Sequence, residues 1–245
     1  MKVLAIETAT SRQSVAILDD RSILARSDED AQGAHARLLI PTIDRLLGSC
    51  GLALSALDGL AVSIGPGSFT GLRVGLATAM GIRLATGLPL AAVPTLEAMA
   101  WNHRDSPYPL CPVLKARTGE VYWAVYQWTE TGRLNRVMEE RVGSLQTMAQ
   151  SLPGTIVMLG EGWSLERDAL RRLFEARGSR IVDVPDDAQA ASAVSVGLAG
   201  LERLVRGRVE EAGLSPMYVQ RAKADVTWER QHAVTPTGNP VSRPD

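Results

Sequence analysis

The sequence has few cysteines and histidines, and none of them is arranged for metal binding or disulfide chemistry. Its two cysteines, Cys50 and Cys111, are far apart and form no CxxC pair. A disulfide framework and a cysteine zinc site are therefore not expected, and a reducing cytoplasm is the predicted location. The three histidines form no HxxxH or HExxH pattern, and no GxSxG motif is present. The sequence thus shows no pattern typical of metalloenzymes or serine hydrolases.

The chain also lacks a basic excess and long apolar runs. Its formal net charge is −1 over 245 residues, whereas a protein that holds RNA by itself usually carries many uncompensated basic residues. No stretch of about 20 apolar residues is free of charge, which argues against a transmembrane helix. The N-terminal segment carries an acid, Glu7, after only a short apolar stretch, and this is typical of a strand rather than a signal peptide.

Hydrophobic periodicity predicts the same order of elements in both halves of the chain: three strands, then helix, strand, helix, strand and helix. In the first half these are 2–7, 14–18, 22–27, 34–47, 59–64, 68–86, 89–93 and a helix from about 95. In the second half they are 110–115, 120–128, 134–142, 144–151, 155–159, 164–176, 180–184 and 188–205. Two such units side by side predict an α/β fold of the actin/Hsp70/sugar-kinase (ASKHA) type. The predicted lobes are 1–103 and 104–220, and 221–245 is predicted to be a flexible tail.

Two tight turns are candidates for a nucleotide site between the lobes. The turn after the first strand carries hydroxyls beside a carboxylate, which suit phosphate and hydrated Mg²⁺. The second turn joins a buried strand to a helix, where backbone amides favour anions. The candidate residues are Glu7, Thr8, Thr10, Gly65, Gly67 and Ser68. Neither turn fits the P-loop or GxGxxG pattern, and the alternative is that their side chains only satisfy the turns and cap the helix.

Small residues recur every four positions along the long helix. One series is Gly67, Gly71, Gly75 and Ala79, and another is Ala77, Gly81 and Ala85. Each interior glycine costs about 1 kcal/mol relative to alanine, so a compensating contact is expected. A close approach of a partner helix would supply it, and so would packing inside the same lobe. Helix 34–47 has apolar residues on more than one side, which favours contact with a partner helix over packing inside the lobe alone. The candidate interface residues are Leu39, Ile43, Leu46, Gly71, Arg73, Val74, Gly75 and Thr78.

Four segments of the sequence resemble the TsaB (YeaZ) family. They are KVLAIETAT at 2–10, GPGSFTGLRVG at 65–75, ARTGEVY at 116–122 and PMYVQR at 216–221. The resemblance covers about residues 1–221. Two positions depart from the family pattern: Glu7 replaces the commoner aspartate, and Lys115 stands where an aspartate is usual. A lysine between the lobes reverses the local charge and weakens the case for Mg²⁺ there.

The resemblance implies a non-catalytic subunit of the machinery that makes threonylcarbamoyladenosine (t6A) in tRNA. Members of this family pair through helices of the first lobe with TsaD, a larger catalytic paralogue, and the ATPase TsaE joins them. The resemblance implies contact with tRNA through the complex, no membrane association, and no cofactor in this subunit, with ATP or ADP elsewhere in the complex. Where TsaD has two metal-binding histidines, this chain has Thr95 and Met99. Neither residue replaces an imidazole ligand, so alanine at both positions is expected to be harmless.

Two other hypotheses remain open from the sequence. The fold also hosts ATPases and sugar kinases, so the chain is alternatively an ATP-binding or ATP-hydrolysing enzyme that acts on its own. The same helix faces can also pair with a second copy about a two-fold axis, which gives a homodimer in isolation. For the interface hypothesis, Gly75→Leu is expected to abolish pairing and leave the fold intact.

Overall fold

The chain folds into two lobes that have the same order of elements. The computed structural model describes residues 1–31, 33–185, 190–210 and 213–219. The first lobe contains β1 (Lys2–Glu7), β2 (Arg12–Asp19), β3 (Ser22–Asp30), α1 (His35–Ser49), β4 (Gly59–Ser63), α2 (Phe69–Thr86), β5 (Leu90–Val93) and α3 (Thr95–Trp101). The second contains β6 (Leu110–Lys115), β7 (Glu120–Trp128), β8 (Leu134–Ser144), α4 (Leu145–Ser151), β9 (Thr155–Leu159), α5 (Glu161–Glu175), β10 (Arg180–Val182) and α6 (Ala193–Val205).

Each lobe is built on a five-stranded mixed sheet with the same topology. The strand order is β3-β2-β1-β4-β5 in the first sheet and β8-β7-β6-β9-β10 in the second. In the first sheet, β1 is antiparallel to β2 and parallel to β4, and β6 has the same relation to β7 and β9 in the second. Parallel neighbours need a crossover connection, and the helices supply it. The repeated sheet is the duplicated actin-like arrangement that the order of elements predicts.

The last helix, α6, follows the second lobe in sequence but packs on the sheet of the first. A Cβ on Gly197 would collide with the Leu18 side chain, and one on Gly200 would collide with Ala61. These glycines therefore let α6 approach β1, β2 and β4 closely. The predicted division at residue 104 follows the order of the chain, whereas packing returns 193–205 to the first lobe. The predicted tail, 221–245, lies outside the described residues.

Three groups of buried side chains form the interior. One lies between the first sheet and helices α1 and α2, and another lies between the second sheet and helices α4 and α5. The third joins the two lobes through α3 and α6. In the part of the chain that the structure describes, no helix combines the length and apolar character needed to cross a membrane.

Candidate functional site

The turn after β1 is in direct contact with the start of α2. The backbone N–H of Ser68 donates to the carbonyl of Ala9 at 2.6 Å, and a Cβ on Gly67 would collide with the same oxygen. The Ser68 hydroxyl accepts the N–H of Gly71 at 3.2 Å and so caps the helix. Because the Ser68 amide is already bonded within the protein, it is not available to a phosphate in this arrangement.

Close contact with Thr8 explains why α2 has glycine at two positions that were predicted to face a partner. Its hydroxyl donates to the carbonyl of Gly71 at 2.8 Å. A Cβ on Gly71 would collide with the Thr8 carbonyl, and a Cβ on Gly75 would collide with the Thr8 hydroxyl. The glycines therefore let α2 pass directly over the end of β1. The interpretation of Gly71 and Gly75 as partner contacts is corrected, since packing inside the lobe offsets their helix cost.

Glu7 is a completely buried acid at the end of β1. One of its carboxylate oxygens accepts the N–H of Ala9, and the other has no hydrogen-bond partner in the described part of the chain. Burial raises the pKa of Glu7 to about 7, although the Ala9 N–H and the nearby Ser63 hydroxyl act to lower it. The hydroxyls of Ser63 and Thr95 are themselves buried and do not reach hydrogen-bond geometry with any of the residues that the structure describes. Near neutral pH a large share of Glu7 is therefore uncharged, which makes it a poor ligand for a cation.

Gly65 is held between two stretches of backbone outside the cleft. Its φ of 110° lies in the region that favours glycine. Its carbonyl accepts the N–H of Thr95 at 2.8 Å, and a Cβ would lie 2.8 Å from the Met217 carbonyl oxygen. The structure therefore gives Gly65 a packing role at the β4–α2 turn.

A small cleft separates the lobes beside the β1 turn. Its volume is about 240 Å³, below the range of roughly 300–1,000 Å³ that is typical of small-molecule sites. Thr10 and Ser68 line it from the first lobe, and Lys115 and Glu161 line it from the second. The Thr10 hydroxyl accepts the N–H of Arg12 at 3.2 Å, which is a local turn contact. With one lysine balanced by one glutamate, this lining offers no net positive charge to a triphosphate.

The predicted interface side chains of α1 lie in the interior of their own lobe. Leu39, Ile43 and Leu46 are almost fully buried among the side chains of the first sheet and α2. The helix has one buried stripe, as an ordinary surface helix does. The prediction that these three side chains contact a partner is therefore corrected, because they face inward. Arg73 is exposed, whereas Val74 and Thr78 are half-buried at the edge of α2.

The surface of α1 and α2 that points to solvent is a different set of residues. We call it the outer face, and its members are Ile40, Arg73, Ala77, Gly81, Leu84 and Ala85. Leu84 is 90% exposed and Ile40 is 54% exposed. A Cβ on Gly81 would have no atom of the described residues within 4 Å. The second series of small residues in the sequence thus lies at the surface, while the first series lies inside.

Comparison with known proteins identifies the family. The family model described as "TsaD: tRNA N6-adenosine threonylcarbamoyltransferase" matches residues 27–228. The chain is 37% identical, over 169 residues, to the Escherichia coli K12 tRNA threonylcarbamoyladenosine biosynthesis protein TsaB, which is 66% of this chain and 72% of the relative. The chain belongs to the TsaB/YeaZ family. A Bacillus subtilis 168 relative with the same name is 26% identical over 235 residues, 93% of this chain and 98% of the relative.

Solved structures agree with the TsaB/YeaZ assignment. YeaZ from Pseudomonas aeruginosa superposes with a TM-score of 0.73 at 28% identity, and the match covers 89% of this chain and 99% of that one. A ROK family protein from Streptococcus pneumoniae has a TM-score of 0.52 at 11% identity, covering 84% of this chain and 100% of that one. At 11% identity, the second match shows similarity of fold only. The predicted actin-like fold class is confirmed.

Two positions singled out by the family resemblance are structural in this TsaB/YeaZ chain. Thr95 and Met99 are fully buried at the junction of the lobes, and a Cβ on Gly160 would collide with the end of the Met99 side chain. Among the described residues there is no group of three or more His, Cys, Asp or Glu that could hold a metal. The expectation that alanine at both positions is harmless needs revision, because removing the Met99 side chain leaves a cavity between the lobes.

The sequence reasoning missed Ile40 and Leu84 as members of the exposed surface. The signal was present, since Leu84 lies next to Ala85 in the small-residue series, and Ile40 is three positions before Ile43. The orientation of each helix about its axis does not follow from these patterns. That orientation decides which apolar residues of α1 and α2 face the sheet.

Proposed function

We propose that the chain is a non-catalytic subunit of the t6A machinery that pairs with a TsaD-like catalytic paralogue and activates it. The names of its curated relatives support the pathway, and the family resemblance supports the partner. The proposed complex also includes a TsaE-like ATPase and takes up tRNA in the cytoplasm. This subunit is proposed to hold no metal and no cofactor, so any ATP or ADP binds elsewhere in the complex. The pairing surface is the outer face of α1 and α2.

Gly81 is the observation that carries this proposal. An interior helical glycine costs about 1 kcal/mol relative to alanine. At Gly75 the close contact with Thr8 offsets this cost. At Gly81 no such contact exists among the described residues, and the Cβ position is open to solvent. With Ala77 and Ala85 one turn to either side, Gly81 forms a shallow groove along the helix. Small residues of this kind let a second helix approach closely.

The apolar residues beside this groove support the same surface. Leu84 and Ile40 are large, exposed and uncharged, and Ile40 also borders a groove lined by Ile43, Leu47 and Ile82. Burying such side chains against a partner helix removes apolar area from water, at roughly 25 cal/mol per Å². Asp44 at the margin of the surface is suited to a polar rim.

We expect Leu84→Arg to weaken pairing with the TsaD-like partner at least about 100-fold, because it places an unpaired charge in the apolar centre of the surface. Pairing is measured by sedimentation or by a titration of the purified proteins, and t6A formation in the reconstituted system is measured by mass spectrometry. Leu165→Arg is the matched control, since Leu165 is an exposed leucine on α5 of the other lobe. Equal binding by Leu84→Arg and wild type would exclude the outer face as the pairing surface.

A homodimer through the same outer face is the competing assembly. Leu84→Arg would disrupt this homodimer as well, so only a titration of the chain with the TsaD-like partner distinguishes the two assemblies. The independent ATPase hypothesis has less support at the β1 turn, because the cleft there is small and its lining has no net positive charge. Stoichiometric binding of ATP and Mg²⁺ with turnover by the isolated chain would revive it.

A further inference from the structure

The segment after α6 returns to the first lobe and runs along α2. We call residues 213–219 the strap. Gly213 lies beside Met80 near the end of α2, with its Cβ position 3.8 Å from the Met80 methyl group. The N–H of Met217 donates to the carbonyl of Ile64 at 2.7 Å. The strap therefore runs antiparallel to α2 and is fixed by backbone contacts to the β4–α2 turn.

The strap ends in an exposed aromatic cluster at the first turn of α2. Tyr218 stacks on Phe69 with a centroid distance of 5.4 Å and an interplanar angle of 26°. The Arg73 guanidinium carbon lies 3.8 Å from the centre of the Phe69 ring, and Arg73 Nε donates to the Tyr218 hydroxyl at 3.4 Å. Phe69 is 39% exposed and Tyr218 is 45% exposed. The sequence motif at 65–75 thus meets residues 216–219 of the second motif at one surface point.

This cluster is continuous with the outer face. Arg73, Ala77 and Gly81 are spaced by four residues and so follow one another along the same side of α2. On the other flank of the helix, Ile82 lines a groove together with Ile43 of α1. The helix α2 is thus bordered by α1 on one flank and by the strap on the other, and the three elements share one surface.

We propose that the strap is the third element of the pairing surface, and that Phe69, Arg73 and Tyr218 form an anchor for the partner. The proposal rests on the proposed function and names a part of the same surface. The occupant is the helical surface of the TsaD-like partner, with a carboxylate or carbonyl oxygen placed against Arg73. Tyrosine and arginine are the residues that most often dominate binding energy at interfaces. Stacking orders these side chains before binding, which lowers the entropy lost on association.

The test is a titration of the full-length chain with the purified TsaD-like partner. Tyr218→Ala is expected to weaken binding at least tenfold, whereas Tyr218→Phe retains the stack and is expected to stay within threefold of wild type. Tyr108→Ala is the matched control, because Tyr108 is exposed on a loop away from α2. Thermal unfolding of each variant alone shows whether the fold is retained. Met217→Pro removes the N–H that bonds Ile64 while retaining Tyr218, and it is also expected to weaken binding at least tenfold.

The outcomes separate this proposal from the one on which it rests. Loss of binding by Leu84→Arg together with wild-type binding by Tyr218→Ala and Met217→Pro would overturn the strap proposal alone. Wild-type binding by Leu84→Arg, or no binding by the wild-type chain, would overturn the proposed pairing surface and the strap with it. Weaker binding by Tyr218→Ala with normal binding by Tyr108→Ala supports the anchor.

Discussion

Gly75→Leu is expected to lower the free energy of unfolding by about 2–6 kcal/mol, contrary to the expectation that this substitution leaves the fold intact. The leucine side chain would overlap the Thr8 hydroxyl, and overpacking of this kind typically costs about 1–3 kcal/mol. Moving α2 outward to relieve the overlap would break the buried hydrogen bond from Thr8 to Gly71, which adds roughly 1–3 kcal/mol. Since domains are typically stable by only about 5–15 kcal/mol, this loss would remove a large fraction of the stability of the chain. Urea denaturation followed by circular dichroism measures the change.

The control for this prediction lies on the same helix. Gly81→Leu adds an identical side chain at an open position, so the free energy of unfolding is expected to stay the same or rise by up to about 1 kcal/mol from helix propensity. The same Gly81→Leu chain should lose pairing with the partner. Equal stability of the two variants would show that the contact between α2 and the β1 turn does not constrain position 75.

The stability of the chain is expected to fall by about 3 kcal/mol between pH 4.5 and 7 because of Glu7. The ordinary pKa of this group is 4.5, and burial raises the pKa of Glu7 in the folded chain to about 7. Between these values the unfolded chain has lost the proton and the folded chain retains it. Rising pH therefore stabilises the unfolded state relative to the folded state, and above pH 7 the free energy of unfolding no longer changes because of Glu7. Each unit of difference in pKa corresponds to about 1.4 kcal/mol.

Glu7→Gln is expected to remove this contribution to the pH dependence. The glutamine carbonyl can accept the Ala9 N–H as the carboxylate does, and its amide can face the buried Ser63 hydroxyl. At about pH 8 the variant should be more stable than wild type by up to about 3 kcal/mol, as measured by urea denaturation at several pH values. Glu175→Gln on the exposed side of α5 serves as control and should follow the wild-type curve. Parallel curves for Glu7→Gln and wild type would mean that Glu7 is ionised in the folded chain.

The region where nucleotide was expected is joined by internal hydrogen bonds in this chain. It consists of Glu7, Thr8 and the start of α2, and in it the amide of Ser68 and the hydroxyl of Thr8 have protein partners. The same region fixes the first turn of α2, where the strap and the outer face meet. A substitution at Gly75 would thus disturb the proposed pairing surface by destabilising the fold. A substitution at Leu84 would weaken pairing directly.

The sequence alone was sufficient for the order of elements and the fold class. The short apolar run in β1 and the four-residue spacing in α2 are local patterns, and each depends only on side chains near one another in the chain. The motifs at 65–75 and 216–221 also pointed to the family by themselves. Ser68 as the cap of α2 followed from local residue preferences.

The tertiary structure alone decided which side of each helix is inside. Leu39 and Ile40 are adjacent and similarly apolar, yet one lies in the core and the other in solvent. Gly75 and Gly81 have the same cost in an isolated helix, and only the position of Thr8, which is far from both in sequence, distinguishes them. The contact of Tyr218 with Phe69 likewise joins segments that are far apart in the chain. Local sequence sets the periodicity of an element, but its orientation depends on the sum of contacts from distant segments.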